Sequence, residues 1–436
     1  MFGMDPERET GSWQSRVRFG PEGAFAYRPG EILVGAEVAD LAYETLAGWV
    51  ERRAAETDER IDLHRDEALV AGAFVRFTGS FETHEAVERL HGNGILAQVN
   101  HVLFATSCCP PHPADPCAGE YYASPFYANP FYANPFYANA SPSPYSDPSV
   151  QLTGSRSSSA RPAKAPALAK KTPVQGVRVA ILDTGWADTG FAPQGLPAIK
   201  VTPHGGDQPD EDGDGFLDPA AGHGTFIGGV IEQATPGCDI EIIEILSTYG
   251  DGDEVTISNV LHALSQRPEK ERPDIVNLSF GGYSPLGMGA LAKAIADLAD
   301  AGSAVVASAG NDSTCFPMFP ASLPHVVGVA ALDENDDAAV FTNYGPWVRA
   351  CARGTNVVSL FFDNFNGAGP KEKNYDPDKF EGWALWSGTS FAAPAVVAAL
   401  ARAVAGGATP HQAVADLIDD ENLERKPMLG TVVKLA

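Results

Sequence analysis

Basic residues are scarce in this chain. Thirty lysines and arginines stand against 56 aspartates and glutamates, a formal net charge of −26. A surface of that sign repels phosphates, which excludes nucleic-acid binding. Long apolar runs are missing too. The longest, Phe391 to Leu400, is interrupted by Pro394 and closed by Arg402, too short to cross a membrane. The first 15 residues carry Asp5, Glu7, Arg8 and Glu9 and no apolar segment, so no secretory signal is expected. Cysteine is sparse, six in 436 residues, which excludes a disulfide scaffold. Cys108, Cys109 and Cys117 flank His112, but their spacing matches no common zinc pattern and they read as free thiols. These absences together predict a reduced, cytoplasmic protein with no membrane or nucleic-acid partner.

The remaining composition suits a globular chain, and its length predicts one large domain and one smaller one. Residues 1–107 form the first. Ile32, Leu33 and Val34 read as a strand, and Val38, Leu41, Ala42, Leu46, Trp49 and Val50 recur at helical spacing. Strands at 61–70 and 73–77, a helix at 82–91 and a strand at 95–104 complete a small α+β unit of split βαβ order. Residues 108–173 read as a linker opened by Pro110, Pro111, Pro113 and Pro116. Inside it Phe-Tyr-Ala-Asn recurs at 126, 131 and 136, with proline after the first two copies. A five-residue period is too short for a solenoid, and either an aromatic spacer or a recognition tape fits it. From 174 to 436 apolar strands alternate with helices, which predicts an α/β fold. Its sheet is expected to be mostly parallel, with helices on both faces.

In such a sheet functional groups collect at the carboxyl ends of the strands. Asp183-Thr184-Gly185 stands at one such end, and His223 lies in Gly222-His223-Gly224-Thr225. Ser279-Phe280-Gly281 and Ser308-Ala309-Gly310-Asn311 follow two further strands. Gly388-Thr389-Ser390 opens a helix, where a hydroxyl can stand beside backbone N–H groups that face an incoming oxyanion. Any one of these reads equally well as a turn or a cap. Their joint occurrence in the order Asp, His, Ser does not.

Four of these motifs, running to Gly388-Thr389-Ser390-Phe391-Ala392-Ala393-Pro394, resemble the subtilisin-like serine proteases, or subtilases, over roughly residues 174–405. That family supplies the standard Asp–His–Ser order. The resemblance implies Ser390 as nucleophile, His223 as general base and then acid, and Asp183 as its orienting carboxylate. It implies Asn311 and the Ser390 backbone N–H as oxyanion donors, and Ser279, Phe280, Gly281 with Ser308, Ala309 and Gly310 as the segments that bind substrate. No cofactor is needed for that chemistry, and the partner is a peptide or protein substrate. Phe226 departs from the pattern, because many members carry a second histidine there. The N-terminal unit looks like the propeptide inhibitor of subtilases, which implies a self-processing zymogen. Asn139–Ala140 or residues 150–160 are the expected processing region.

Asp-Thr-Gly is also an aspartic-protease signature, repeated at Asp188, but copies five residues apart cannot face each other from separate halves. Asp210, Asp212, Asp214 and Asp218 resemble the first half of an EF-hand loop, with Ala221 in place of its closing glutamate. A structural calcium site and a solvated acidic loop both remain open. Two other functions stay in view. A precursor-processing or macrocyclising subtilase would yield a single-site or cyclic product, and a catalytically silent peptide-binding module would not react with a fluorophosphonate.

Overall fold

The computed structural model describes residues 17–20, 25–57, 61–105, 160–167, 171–187, 201–368 and 378–435. The aromatic repeats, the expected processing region up to residue 159, Asp188 and the cysteines at 108, 109 and 117 lie outside them.

The N-terminal unit runs β1 (Ala26–Gly35), α1 (Ala39–Thr57), β2 (Leu63–Arg65), β3 (Phe74–Gly79), α2 (Thr83–Gly92) and β4 (Ala97–Ala105). The strands pair antiparallel in the order β4-β1-β3-β2. Strand alternation turns Ile32, Val34, Val75, Phe77 and Val99 to one face, where Ala42, Leu46 and Trp49 of α1 and Ala86 and Leu90 of α2 cover them. The strand expected at 61–70 shrinks to three residues. His64, Arg65 and Leu69 face solvent, so these side chains have no core to line. Ala71 and Gly72, both at positive φ, then turn the chain into β3.

The second unit runs β5 (Arg178–Asp183), β6 (Val201–His204), α3 (His223–Ala234), β7 (Asp239–Glu244), β8 (Asp251–Asp253) and α4 (Glu254–Ser265). It continues with β9 (Ile275–Leu278), β10 (Phe280–Gly281), α5 (Gly289–Asp300), β11 (Ala304–Ser308), β12 (Val326–Leu332) and β13 (Ala350–Arg353). Last come β14 (Val357–Leu360), β15 (Trp383–Trp386), α6 (Thr389–Ala405), α7 (Pro410–Val414) and β16 (Gly430–Val432). The main sheet has the order β16-β13-β12-β11-β9-β5-β7-β6, all parallel, and Arg425–Lys426 adds antiparallel at one edge. Within β5, Val179 and Ile181 join the core under α3 and α6, while Ala180 and Leu182 join the core under α4 and α5. Helices cover both faces, as the continuous apolar strands require. Strand β6 escapes sequence reading because only Val201 in it is apolar, and the rest is exposed. Residues 160–167, read as linker, contribute the short strand Arg161–Pro162 on β15 with Ala160 buried in the main core. Pro162 is tolerated there at a sheet edge.

The two units share one sheet. Strand β4 lies between β8 and β10, with Leu103 opposite Gly252, Phe104 opposite Gly281 and Ala105 opposite Phe280. Glu254 anchors the contact. Its carboxylate takes bonds from Gln98 Nε2 at 2.8 and 2.9 Å, and its Oε2 lies 2.7 Å from His101 Nδ1. Its Oε1 also accepts the first-turn N–H groups of Ala290 and Leu291 on α5, where negative charge is favoured.

Glu232 on α3 is fully buried. Among the described residues its Oε1 has no hydrogen-bond partner, and its Oε2 meets only a long bond from the Gly237 N–H at 3.4 Å. Burial raises this carboxyl to about 7 against that opposing bond. An acid raised on folding contributes stability below its unfolded value of 4.5 and loses it as pH rises through about 7. Glu232→Gln should therefore flatten the loss of stability between about pH 5 and pH 8 and exceed the parent by roughly 1–3 kcal/mol at the upper end. Urea unfolding at both pH values reads this, and identical curves for the two proteins at high pH would contradict it.

Candidate active site

Asp183 ends β5, fully buried, and its Oδ1 accepts from the Thr184 N–H at 2.8 Å. The same oxygen lies 2.7 Å from His223 Nδ1. His223 is the first residue of α3, and the glycines on either side of it explain how the helix can begin so close to Asp183. Gly222 has φ 79, and a Cβ there would collide with the Phe361 ring; one on Gly224 would collide with the Gly185 carbonyl oxygen. The carboxylate can only accept, so His223 carries its proton on Nδ1 and leaves Nε2 with its lone pair. That buried Nε2 has no partner among the described residues. Trp386 stands edge-on to the imidazole at 5.5 Å and Phe391 tilts against it at 5.4 Å, which brings the start of α6 beside the histidine.

Ser390 is the second residue of α6. In a regular helix its carbonyl would accept from residue 394, but Pro394 has no N–H to give. The Ser279 hydroxyl donates to that carbonyl instead, at 3.0 Å, and itself accepts from Asn277 Nδ2 at 2.9 Å. The exchange is mutual, because Ser390 Oγ donates to the Ser279 carbonyl at 3.1 Å. Asn311 is fixed from the same helix end. Its Oδ1 accepts from Thr389 N and Oγ1, both at 2.9 Å, and Thr389 Oγ1 accepts from the Gly310 N–H at 3.1 Å. With the carbonyl end so held, the donor end of the Asn311 amide is turned away from Thr389. Ser308 and Ala309 are buried at the end of β11, and Gly310, at φ 104, makes the turn into Asn311. Phe280 points into the core, so β10 offers a peptide only its backbone edge and the bare Gly281. Phe226, where a second histidine was a family expectation, packs on Phe391 at 4.5 Å.

One residue sequence reading missed ties the loops together. Asp207 Oδ2 accepts from Thr184 Oγ1 at 2.6 Å and from the Gly222 N–H at 2.9 Å, and Thr184 Oγ1 accepts from the Gly224 N–H at 3.0 Å. The residues next to Asp183 and those on both sides of His223 thus meet at one carboxyl. Burial pushes its pKa well up, the two bonds oppose that shift, and the charges of Asp183 and Glu244 add to it. Nothing in Gly205-Gly206-Asp207-Gln208 marks this role.

Of the four acidic-loop residues, the structure gathers three. Asp210, Asp212 and Asp218 each offer one oxygen within 4.8 Å of the others, and Asp214, whose Oδ1 takes the Phe216 N–H, stands outside the group. Asp210 accepts from the N–H groups of Gly213, Asp214 and Gly215. Burial raises Asp218 to about 6, against bonds from the Glu211 N–H and Thr248 Oγ1 and with the charges of Asp212 and Asp210 adding to the rise. An all-carboxylate donor set fits a hard, oxygen-seeking cation. No described helix is long and apolar enough to cross a membrane.

The model of the subtilase family matches residues 174–424. A probable subtilase-type serine protease of Deinococcus radiodurans is 33% identical over 214 residues, 46% of this chain and 28% of that protein. Thermitase of Thermoactinomyces vulgaris is 28% identical over 43% of this chain and 66% of its own length. The chain thus spans between about a quarter and two thirds of these relatives. Among solved structures, fervidolysin of Fervidobacterium pennivorans, described as a keratinolytic enzyme related to subtilisin, is similar in fold with a TM-score of 0.57. The identity is 17%, over 94% of this chain and 60% of that one.

The Asp207 bridge predicts a difference between two substitutions. Asp207→Ala leaves the Thr184 hydroxyl and the Gly222 N–H without their acceptor in a buried place, at a cost of about 1–3 kcal/mol. Asp207→Asn keeps an acceptor oxygen and should retain most of the stability. Equal losses in denaturant titrations of the two variants would show that the acceptor oxygen is not what stabilises the bridge.

Proposed function

We propose, on the premise that this chain belongs to the subtilase family, that it is a serine endopeptidase made in a self-inhibited form. The observation that carries the reading is the buried His223–Asp183 pair at 2.7 Å, with the bare Nε2 beside the helix start that bears Ser390. Ser390 Oγ exchanges the Ser279 carbonyl for His223 Nε2 as its acceptor and attacks the substrate carbonyl. Its proton passes to Nε2, and Asp183 stabilises the resulting imidazolium. The tetrahedral oxyanion takes hydrogen bonds from the Asn311 amide and the Ser390 N–H, the first of these worth about 10²–10³ in turnover. His223 then returns the proton to the leaving amine as the C–N bond breaks. Water repeats the cycle on the acyl-enzyme and releases the acid.

The N-terminal unit acts as the inhibitor. Its last strand occupies the edges of β8 and β10, which an extended substrate would otherwise pair with. The pairing runs toward Ser279, the residue that exchanges hydrogen bonds with Ser390. The expected first cut therefore falls within the few residues after Ala105, upstream of Asn139–Ala140. Ser390→Ala should lose fluorophosphonate labelling and accumulate as one uncut chain, whereas the parent yields a fragment whose new N-terminus lies just past Ala105. An active parent that stays at full length would refute the zymogen reading and spare the peptidase reading.

Asp210, Asp212 and Asp218 hold a structural calcium ion in this reading, one that takes no part in the chemistry. Calcium titrated into chelator-treated protein should raise the melting temperature by mass action on the folded state. An Asp212→Ala, Asp218→Ala double variant should not respond. A parent melting curve that ignores calcium would leave the acidic loop solvated.

A further inference from the structure

A peptide that pairs with β10 and presents a carbonyl to Asn311 must pass its acyl-side side chain between two walls, the segment Phe280–Gly282 and the turn Ser308–Gly310. Those walls carry Gly281, Gly282 and Gly310, which contribute no side chains to the space between them. Met318 fills it. A Cβ built on Gly281 would collide with Met318 Cε, and one built on Gly310 would collide with Met318 Sδ, so this one thioether reaches from wall to wall. Met318 is itself 2% exposed. Its backbone cannot easily retreat, since the next residue, Phe319, exchanges two hydrogen bonds of 2.8 Å with Gly282, and the Met318 carbonyl accepts from the Ser322 N–H at 2.9 Å. Its sulfur lies 3.8 Å from Asn343 Nδ2, which also donates to the Ala309 carbonyl and to the Tyr283 hydroxyl, at 2.9 and 2.8 Å.

The strand register says which substrate residue meets this side chain. Phe104 stands opposite Gly281 and packs on Met318 and Tyr283. Alternate residues of a strand share a face, so a residue two positions later in an extended peptide points the same way. That residue is opposite Ser279, whose carbonyl is 3.1 Å from Ser390 Oγ. It is the residue whose carbonyl is attacked.

We propose that Met318 sets the specificity of the reaction, closing the slot for the acyl-side residue so that cleavage follows glycine, alanine, serine or threonine and not large side chains. The proposal rests on the peptidase reading and narrows its substrate class. A phenyl ring there would have to expel a buried methionine from between two hydrogen-bonded segments, whereas a methyl or hydroxymethyl group needs no such rearrangement. The residue that follows Ala105 in the sequence, Thr106, is itself small.

The test uses the full chain after it has processed itself and extended peptides that differ only at the acyl-side residue. The alanine peptide should exceed the phenylalanine peptide in kcat/KM by on the order of 10–200-fold, the range one misfitted side chain commands. Met318→Gly should raise the ratio of kcat/KM for the phenylalanine peptide to that for the alanine peptide at least about tenfold. The parent preference reads the proposal even if that variant folds poorly. A parent that cleaves after phenylalanine or leucine as fast as after alanine overturns it. A parent whose Ser390 fails to react with a small fluorophosphonate overturns instead the peptidase reading beneath it.

Discussion

Two neighbouring parallel strands, β5 and β9, send their chains in opposite directions, and the site depends on that divergence. From Asp183 the chain goes outward to β6 and returns through β7, while from Leu278 it proceeds toward β11, β12 and β13 on the other side. Loops leaving such a point cannot close over each other, so a crevice remains at the carboxyl ends of the strands. Asp183 and Ser279 stand on its two lips. Helices α3 and α6 then bring His223 and Ser390 in from one face of the sheet, packed together through Phe226, Trp386 and Phe391. The positions of the polar groups are thus consequences of how apolar surface is buried beneath them.

Within that frame the polar contacts are reciprocal. Pro394 removes one helical donor, and a helix buried this deeply cannot turn to water for a replacement. The Ser279 hydroxyl makes good the loss and in doing so fixes the height of Ser390 relative to β10. Thr389 does the same for Asn311, and Asp207 for the two loops that carry Asp183 and His223. Leaving any of these buried partners unpaired costs about 1–3 kcal/mol, comparable with the cost of moving a reacting atom out of line.

What was legible in the sequence follows from the same physics. The α/β alternation could be read because β5, β9, β11 and β12 are covered on both faces and therefore apolar at almost every position. Asp183, His223 and Ser390 could be read because each needs a small-residue setting: Gly222 and Gly224 beside the histidine, Gly388 before the serine helix. Strand β6 could not, since its exposed residues carry no pattern, and residues 61–70 misled because Ile61, Leu63 and Val70 reach a core while His64, Arg65 and Leu69 between them stay exposed. Asp207 and Met318 were invisible for a different reason. An aspartate after two glycines reads as a loop, and a methionine between two phenylalanine–proline turns reads as filling. Only the register of β10 and the closeness of Gly281 and Gly310 turn the second into a wall. The acidic loop was read as four equivalent carboxylates, and only the fold separates Asp214 from the other three.

The strand β4 is one backbone wide, and the edges of β8 and β10 lie on either side of it, each at the usual spacing of about 4.8 Å. Whatever replaces it must be a single chain stripped of its own secondary structure, since neither a helix nor a paired strand fits between two edges that each demand backbone hydrogen bonds. For the proposed peptidase this geometry makes susceptibility a property of the victim's fold. A protein that opens and recloses faster than it is cleaved is cut in proportion to the fraction of time one of its segments is loose, so the cleft would measure local unfolding free energy before it reads any side chain.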